Sequence, residues 1–191
     1  MSISRLHKYL CDYKVPVELE ETLEWKCLSN YIFLESDLNL KRIRKNKKDA
    51  NVYNNFFIRV ANKLMKFHYN SGKKELALRI LCNTLDIIAK KTSQNPIDVF
   101  LKAFTNAIIW ENVRNLKFGG HRISKLVYVS PKKIITNTLS NLVLLSVKGK
   151  VKDKIENLLS IEIIYASKND GNSIALSKKK QVANIVESAN A

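Results

Sequence analysis

From about Asn54 to the C-terminus, apolar positions recur every three or four residues, and the breaks between these runs carry turn residues. Phe57, Val60, Ala61, Leu64 and His68 form the first stripe, with Arg59, Lys63 and Lys66 between them. That spacing predicts an amphipathic helix. Asn70-Ser71-Gly72 breaks the pattern. A second helix is predicted from Lys73 to about Lys91, with Leu76, Ala77, Ile80, Leu81, Ile87 and Ile88 as its apolar members. Asn95-Pro96 opens a third, because an asparagine can accept a first-turn N–H and a proline fits the first helical position. Its stripe is Ile97, Phe100, Leu101, Phe104 and Ile108.

The pattern then changes. Between about Asn112 and Val129 two runs read as strands around Gly119-Gly120. Adjacent glycines supply the positive φ of a tight hairpin turn. Ser130-Pro131 closes the second run and starts a fourth helix, with Ser130 able to accept an orphan N–H. That helix carries Ile134, Ile135, Leu139, Leu142 and Val143 and is predicted to end before Gly149, a suitable left-handed terminator. Val151, Ile155, Leu158, Leu159 and Glu162-Ile163 belong to a fifth helix. After the turn cluster Asn169 to Ser173, a last helix runs to about Ser188, with Ile174, Val182, Ile185 and Val186 on one side. Short connections favour antiparallel neighbours. The expected fold is mainly α: a bundle of about six helices with one protruding β-hairpin at about 112–129.

Residues 1–50 differ from the rest and read as a variable N-terminal extension, with 51–191 as the helical domain. Glu18, Glu20, Glu21 and Glu24 cluster around Trp25, and Lys41, Arg42, Arg44, Lys45, Lys47 and Lys48 then place six cations in eight positions. Such a block rarely packs in a core, since each charge would need desolvation and a partner. It reads as a solvated linker or as an arm that orders on phosphates.

Charge favours the arm. Lys and Arg number 33 against 17 Asp and Glu, a formal surplus of +16 in a chain of 191 residues. A folded domain with that surplus repels itself unless an anionic partner compensates it; nucleic acid and anionic membrane are the usual partners, and the basic footprint favours nucleic acid. The longest apolar run, Leu139 to Val147, is too short for a bilayer and contains Ser140, Asn141 and Ser146. The N-terminus, Met1 to His7, has no apolar signal core, so a cytosolic protein is expected.

Catalytic constellations are missing from the sequence. Ser71-Gly72-Lys73-Lys74 lacks the upstream glycine and the following hydroxyl of a phosphate loop. Asp86 and Asp98 are single helical carboxylates, and His121 at the hairpin turn is a hydrogen-bonding or stacking group before it is a proton carrier. Cys11, Cys27 and Cys82 are far apart and do not cluster with His7, His68 or His121, so no metal site and no cofactor is expected. Cys82 reads as a small buried hydrophobe.

Binding chemistry is better represented. Lys73 and Lys74 stand at one predicted helix start, Lys132 and Lys133 at another, and Lys178, Lys179 and Lys180 lie in the last helix. Backbone N–H groups at a helix start beside lysines suit a phosphate. Arg114 and Lys117 precede the hairpin turn, and Arg122 and Lys125 follow it. Several clusters plus an arm fit a surface touching several phosphate backbones. A free-standing DNA-binding protein would need a base-reading helix, and an RNA-processing enzyme a paired acid and base.

In order, Asn70-Ser71-Gly72-Lys73-Lys74, Gln94-Asn95-Pro96, Gly119-Gly120-His121-Arg122, Val129-Ser130-Pro131-Lys132-Lys133 and Asn172-Ser173-Ile174-Ala175 leading to Lys178-Lys179-Lys180 resemble the universal small-subunit ribosomal protein S-seven family, S-five in the older eukaryotic naming. The resemblance runs from about Asn54 to the C-terminus. The Val-Ser-Pro form and the lysine triplet are closer to its archaeal and eukaryotic branch. It implies a structural, non-enzymatic protein that binds the 3′ major domain of small-subunit rRNA and supports assembly of the subunit head. Its hairpin would lie near the exit-site tRNA and the mRNA exit path, with Gly119, Gly120 and Arg122 at the arm's tip and Lys73, Lys74, Lys132 and Lys133 on rRNA. Implied partners are rRNA, neighbouring head and platform proteins, and transiently tRNA and mRNA, with no membrane. The implied location is the cytosolic ribosome, with nucleolar assembly in a eukaryote.

Overall fold

Among the described residues, six α-helices and one hairpin follow one another in the order the periodicity predicts. The computed structural model describes residues 52–65, 72–145 and 154–190. The basic run at 41–48, the acidic cluster around Trp25, His68, Asn70, Ser71, Gly149 and Val151 lie outside the described residues, as does the proposed 1–50 extension.

Helix α1 spans Val52–Met65, α2 Lys74–Thr92 and α3 Pro96–Asn106. Strands β1 (Glu111–Phe118) and β2 (His121–Tyr128) form the hairpin. Helix α4 spans Pro131–Ser140, α5 Ile155–Ser167 and α6 Ile174–Asn190. Helices α2 and α3 both pack on α5, and α1 packs on α2. The seam between α1 and α3 is aromatic. Phe56 lies edge-on to Phe100 and Phe104, with centroids 6.0 and 5.2 Å apart, and Phe57 sits 5.3 Å from Phe100. Such pairs add about 0.5–1.5 kcal/mol each beyond their burial. Cys82 is buried in α2.

Local chemistry explains most of the helix ends. Asn95 Oδ1 accepts from Ile97 N at 3.1 Å, with Pro96 at the first position of α3. Helix α2 stops at Ser93, whose φ of 54° is left-handed and whose N–H donates to the Ala89 carbonyl. Its last turn carries Lys90 and Lys91, cations where the helix dipole is negative.

Four expectations need correction. Ile108 is fully buried but lies beyond the end of α3, in the connection to β1. Ser130 is the N-cap of α4, yet its side chain makes no capping bond; its carbonyl takes the N–H of Lys133 and Ile134 at 2.8 and 3.0 Å instead. The fourth helix is not uniform, because it widens into a π turn over Asn141–Leu145 that still buries Leu142 and Val143. On α6, Ile174 and Ile185 are exposed, and the inward face is Ala175, Lys179, Val182 and Val186. These four follow an i, i+4, i+7, i+11 helical row.

Two side chains fix that inward face. Glu162 of α5 is buried, and its carboxylate accepts from Ser173 Oγ at 2.7 Å, Ala175 N at 2.9 Å and Ile174 N at 3.2 Å. Ser173 Oγ in turn accepts from Leu176 N at 3.3 Å. This reproduces a capping box, except that the acid comes from a neighbouring helix. Asn106, the last residue of α3, donates to the Ala166 and Ser167 carbonyls at the end of α5 at 2.9 and 3.2 Å. The three helices α3, α5 and α6 thus meet at one corner, just before the chain leaves for the hairpin.

The hairpin is antiparallel, with Glu111 opposite Tyr128 and Phe118 opposite His121. Gly119 and Gly120 have φ of 55° and 85°, the positive pair that a two-residue turn of matching twist requires. Val129 N also donates to the Trp110 carbonyl at 2.9 Å, extending the ladder toward the body.

Candidate nucleic-acid interface

The start of α4 lies between two cationic depressions. One, of about 260 Å³, separates α4 from α1 and is bordered by Arg59, Asn62 and Lys63 on one side and by Lys132 and Thr136 on the other. The second, of about 280 Å³, separates α4 from the hairpin, with Asn112, Arg114 and Tyr128 facing Ser130, Lys133 and Asn137. Consecutive helical residues point about 100° apart, so Lys132 and Lys133 serve different depressions. Among the described residues, neither lining contains a carboxylate. Each combines ammonium or guanidinium groups with neutral amides and hydroxyls, a donor set suited to phosphate and ribose oxygens.

The hairpin continues this surface. Arg114 stands directly opposite Lys125, and Lys117 opposite Arg122. Like charges facing each other across a ladder are destabilising. Arg114, Lys117 and Lys125 are exposed, Tyr128 is 73% exposed and Leu116 49%. An arm with opposed cations on both strands costs stability when free and favours a polyanion.

Not every cation named from the sequence joins this face. Lys73 and Lys74 are exposed at the start of α2, after Gly72 with its φ of 84°, and line neither depression. On α6, Lys180 is exposed and Lys178 Nζ reaches Gln181 Oε1 at 3.4 Å. Lys179 turns inward, and its Nζ donates to the Asn106 carbonyl at 2.8 Å. Its ammonium closes the corner where α3, α5 and α6 meet. Arg59 and Lys63 lie between the apolar positions of α1; their approach to α4 is tertiary and has no signature in the local sequence. The run Lys41 to Lys48 lies outside the described residues. Among the described residues no group of His, Cys, Asp and Glu could hold a metal ion, and no helix is long and apolar enough to cross a membrane.

The profile of the family described as ribosomal protein S7p/S5e matches residues 37–190. The chain belongs to this family. Among its relatives, the small ribosomal subunit protein uS7 of Picrophilus torridus is 39% identical over 170 residues, 85% of this chain and 89% of the relative. The uS7 of Thermoplasma volcanium is 40% identical over 133 residues, 69% and 72% of the two chains. That of Methanothermobacter thermautotrophicus is 31% identical over 177 residues, 90% and 95%. These relatives are archaeal, in agreement with the branch indicated by the Val-Ser-Pro and triple-lysine motifs. Proteins of the S7p/S5e family are structural components of the ribosome and not enzymes. The family match begins at residue 37, so the basic run at 41–48 lies within it.

Proposed function

We propose that the protein binds the 3′ major domain of small-subunit rRNA and supports assembly of the subunit head, with the α4 face as its principal contact. The observation that carries this reading is the pair of cationic depressions on either side of Lys132 and Lys133. Two depressions sharing one helix start can grip successive phosphates and orient a folded RNA. The arm then reaches outward along the exit-site tRNA and the mRNA exit path. Its exposed cations, and the family resemblance of the Gly119-Gly120-His121-Arg122 tip, support that placement. Lys73, Lys74, Lys178 and Lys180 make outlying phosphate contacts. The run Lys41 to Lys48 acts as an arm of a 1–50 extension attached to the 51–191 helical domain. Neighbouring head and platform proteins complete the surroundings, in a cytoplasmic ribosome.

The test is retention of a transcribed 3′-domain rRNA fragment by the purified full chain, measured against duplex DNA of equal length across a salt series. Each phosphate neutralised contributes about 0.7–0.9 to the log–log salt slope. The fragment should bind more tightly than the DNA at every salt concentration. Replacing Lys132 and Lys133 with alanine together should lower the slope by about 1.5. Equal affinity for both nucleic acids, with a slope unmoved by that double substitution, would remove this function.

A further inference from the structure

A third depression, of about 530 Å³, lies away from the α4 face and takes none of its lining from α1, α4 or the hairpin. Its volume falls within the range of small-ligand sites. One wall is a single face of α5: Ile161, Ile164, Tyr165 and Lys168 follow an i, i+3, i+4, i+7 row. The facing wall is Val99 and Lys102 of α3, three apart and so on one side of that helix. Lys91 and Gln94, at the end of α2 and in the turn after it, close one end.

The chemistry of this depression is mixed in a particular way. Its rim carries Lys91, Lys102 and Lys168 and, among the described residues, no carboxylate. Lys91 and Lys168 sit at helix C-termini, where a cation is favoured by the helix itself. Lys102 has no such reason, because it lies in the body of α3 beside the buried Val99. The floor is apolar, and Tyr165 stands at the mouth with 37% of its surface exposed. Gln94 is exposed and offers both a donor and an acceptor.

We infer that this cleft holds one unstacked nucleotide of the bound rRNA, its base against Tyr165, Ile161 and Ile164 and its flanking phosphates on Lys91, Lys102 and Lys168. Single-stranded RNA is recognised by splaying a base onto an aromatic side chain while cations hold the backbone. An acidic protein segment would use the three ammonium groups but not the planar aromatic mouth. The inference rests on the rRNA-binding reading above and adds to it a second, separate contact.

The experiment is chemical probing of base and ribose accessibility on the 3′-domain fragment, bound by the full chain or by Tyr165→Ala, Lys102→Ala or Tyr165→Phe. The wild type should protect an unpaired nucleotide that Tyr165→Ala and Lys102→Ala both leave reactive, while the remaining footprint persists. Loss of one stacked base should weaken binding by about five- to a hundredfold. Tyr165→Phe should restore both protection and affinity, which separates stacking from any general loss of folding. A wild-type footprint unchanged by the cleft substitutions overturns this inference and leaves the α4 face standing. A cleft whose substitution leaves the RNA footprint intact but abolishes a crosslink to a neighbouring protein in assembled subunits also overturns it, in favour of an acidic segment. No footprint from the wild type overturns both readings.

Discussion

The lysine runs on α4 and α6 look alike in sequence and do different things. Lys132 and Lys133 are both exposed and open into separate depressions. Lys178 and Lys180 are also exposed, but Lys179 between them lies on the inward row of α6 and donates to the Asn106 carbonyl. A basic run is therefore not one object. The helical phase decides which of its charges meets solvent and which must find an acceptor inside. On α6 the phase is set from outside the run, by Glu162 on the first-turn N–H groups.

Glu162→Ala offers the largest expected effect. It removes a buried acceptor from three donors, and should cost about 3 kcal/mol. A urea titration followed by circular dichroism reads this directly. A loss within experimental scatter would mean that α6 takes its phase from packing alone. Next in size is the double substitution of Lys132 and Lys133 with alanine. Two lost phosphate contacts near 0.15 M salt should weaken rRNA-fragment binding roughly twentyfold. The same variant should unfold within about 0.5 kcal/mol of the parent, as exposed substitutions do. If it melts early instead, the α4 lysines belong to the fold and the contrast disappears.

Lys179→Met keeps the aliphatic stem and removes the donor. It should cost about 1 kcal/mol of stability and leave the salt slope of RNA binding unchanged. A slope lowered by a full contact, with stability intact, would return Lys179 to the RNA. Smallest is the change on either side of it. Lys178→Ala and Lys180→Ala should each stay within about 0.5 kcal/mol of the parent in stability. Each should lower the slope by about 0.7–0.9 if it meets a phosphate. A filter-binding salt series distinguishes one contact from none.

Features set by neighbours in the chain were legible in the sequence. Asn95-Pro96 opens α3 as a cap and first-turn proline, Gly119-Gly120 makes the hairpin turn, and Phe57, Val60, Ala61 and Leu64 of α1 and Ala77, Ile80, Leu81 and Ile88 of α2 are core. What was not legible depends on contacts between distant segments. Glu162 lies in an otherwise apolar run, Leu158 to Ile164 apart from Ser160, and that isolation was the available signal that it serves a buried donor. Apolar character alone groups Ile174 and Ile185 with Val182 and Val186, but only the two valines face inward. Glu162 and the Asn106 carbonyl hold the Ala175 and Lys179 side toward the body, which leaves the two isoleucines outside. Arg59 and Lys63 gain meaning only where α1 meets α4. Of the candidate cations, Lys132 and Lys133 are exposed on α4, whereas Lys179 of α6 is half-buried on the Asn106 carbonyl, a difference that the sequence of either run does not show.

The opposed cations of the hairpin have one more consequence. Arg114 and Lys125 repel across the rung they share. Dissolved ions weaken that repulsion, since the screening length falls from about 30 Å at 0.01 M to about 3 Å at 1 M. Added electrolyte should therefore tighten the unbound arm, slowing deuterium uptake by its ladder amides, while the same electrolyte loosens its hold on phosphates. One element thus carries two ionic responses of opposite sign, and the crossing point marks where the arm stops gaining order from its partner and begins to keep its own.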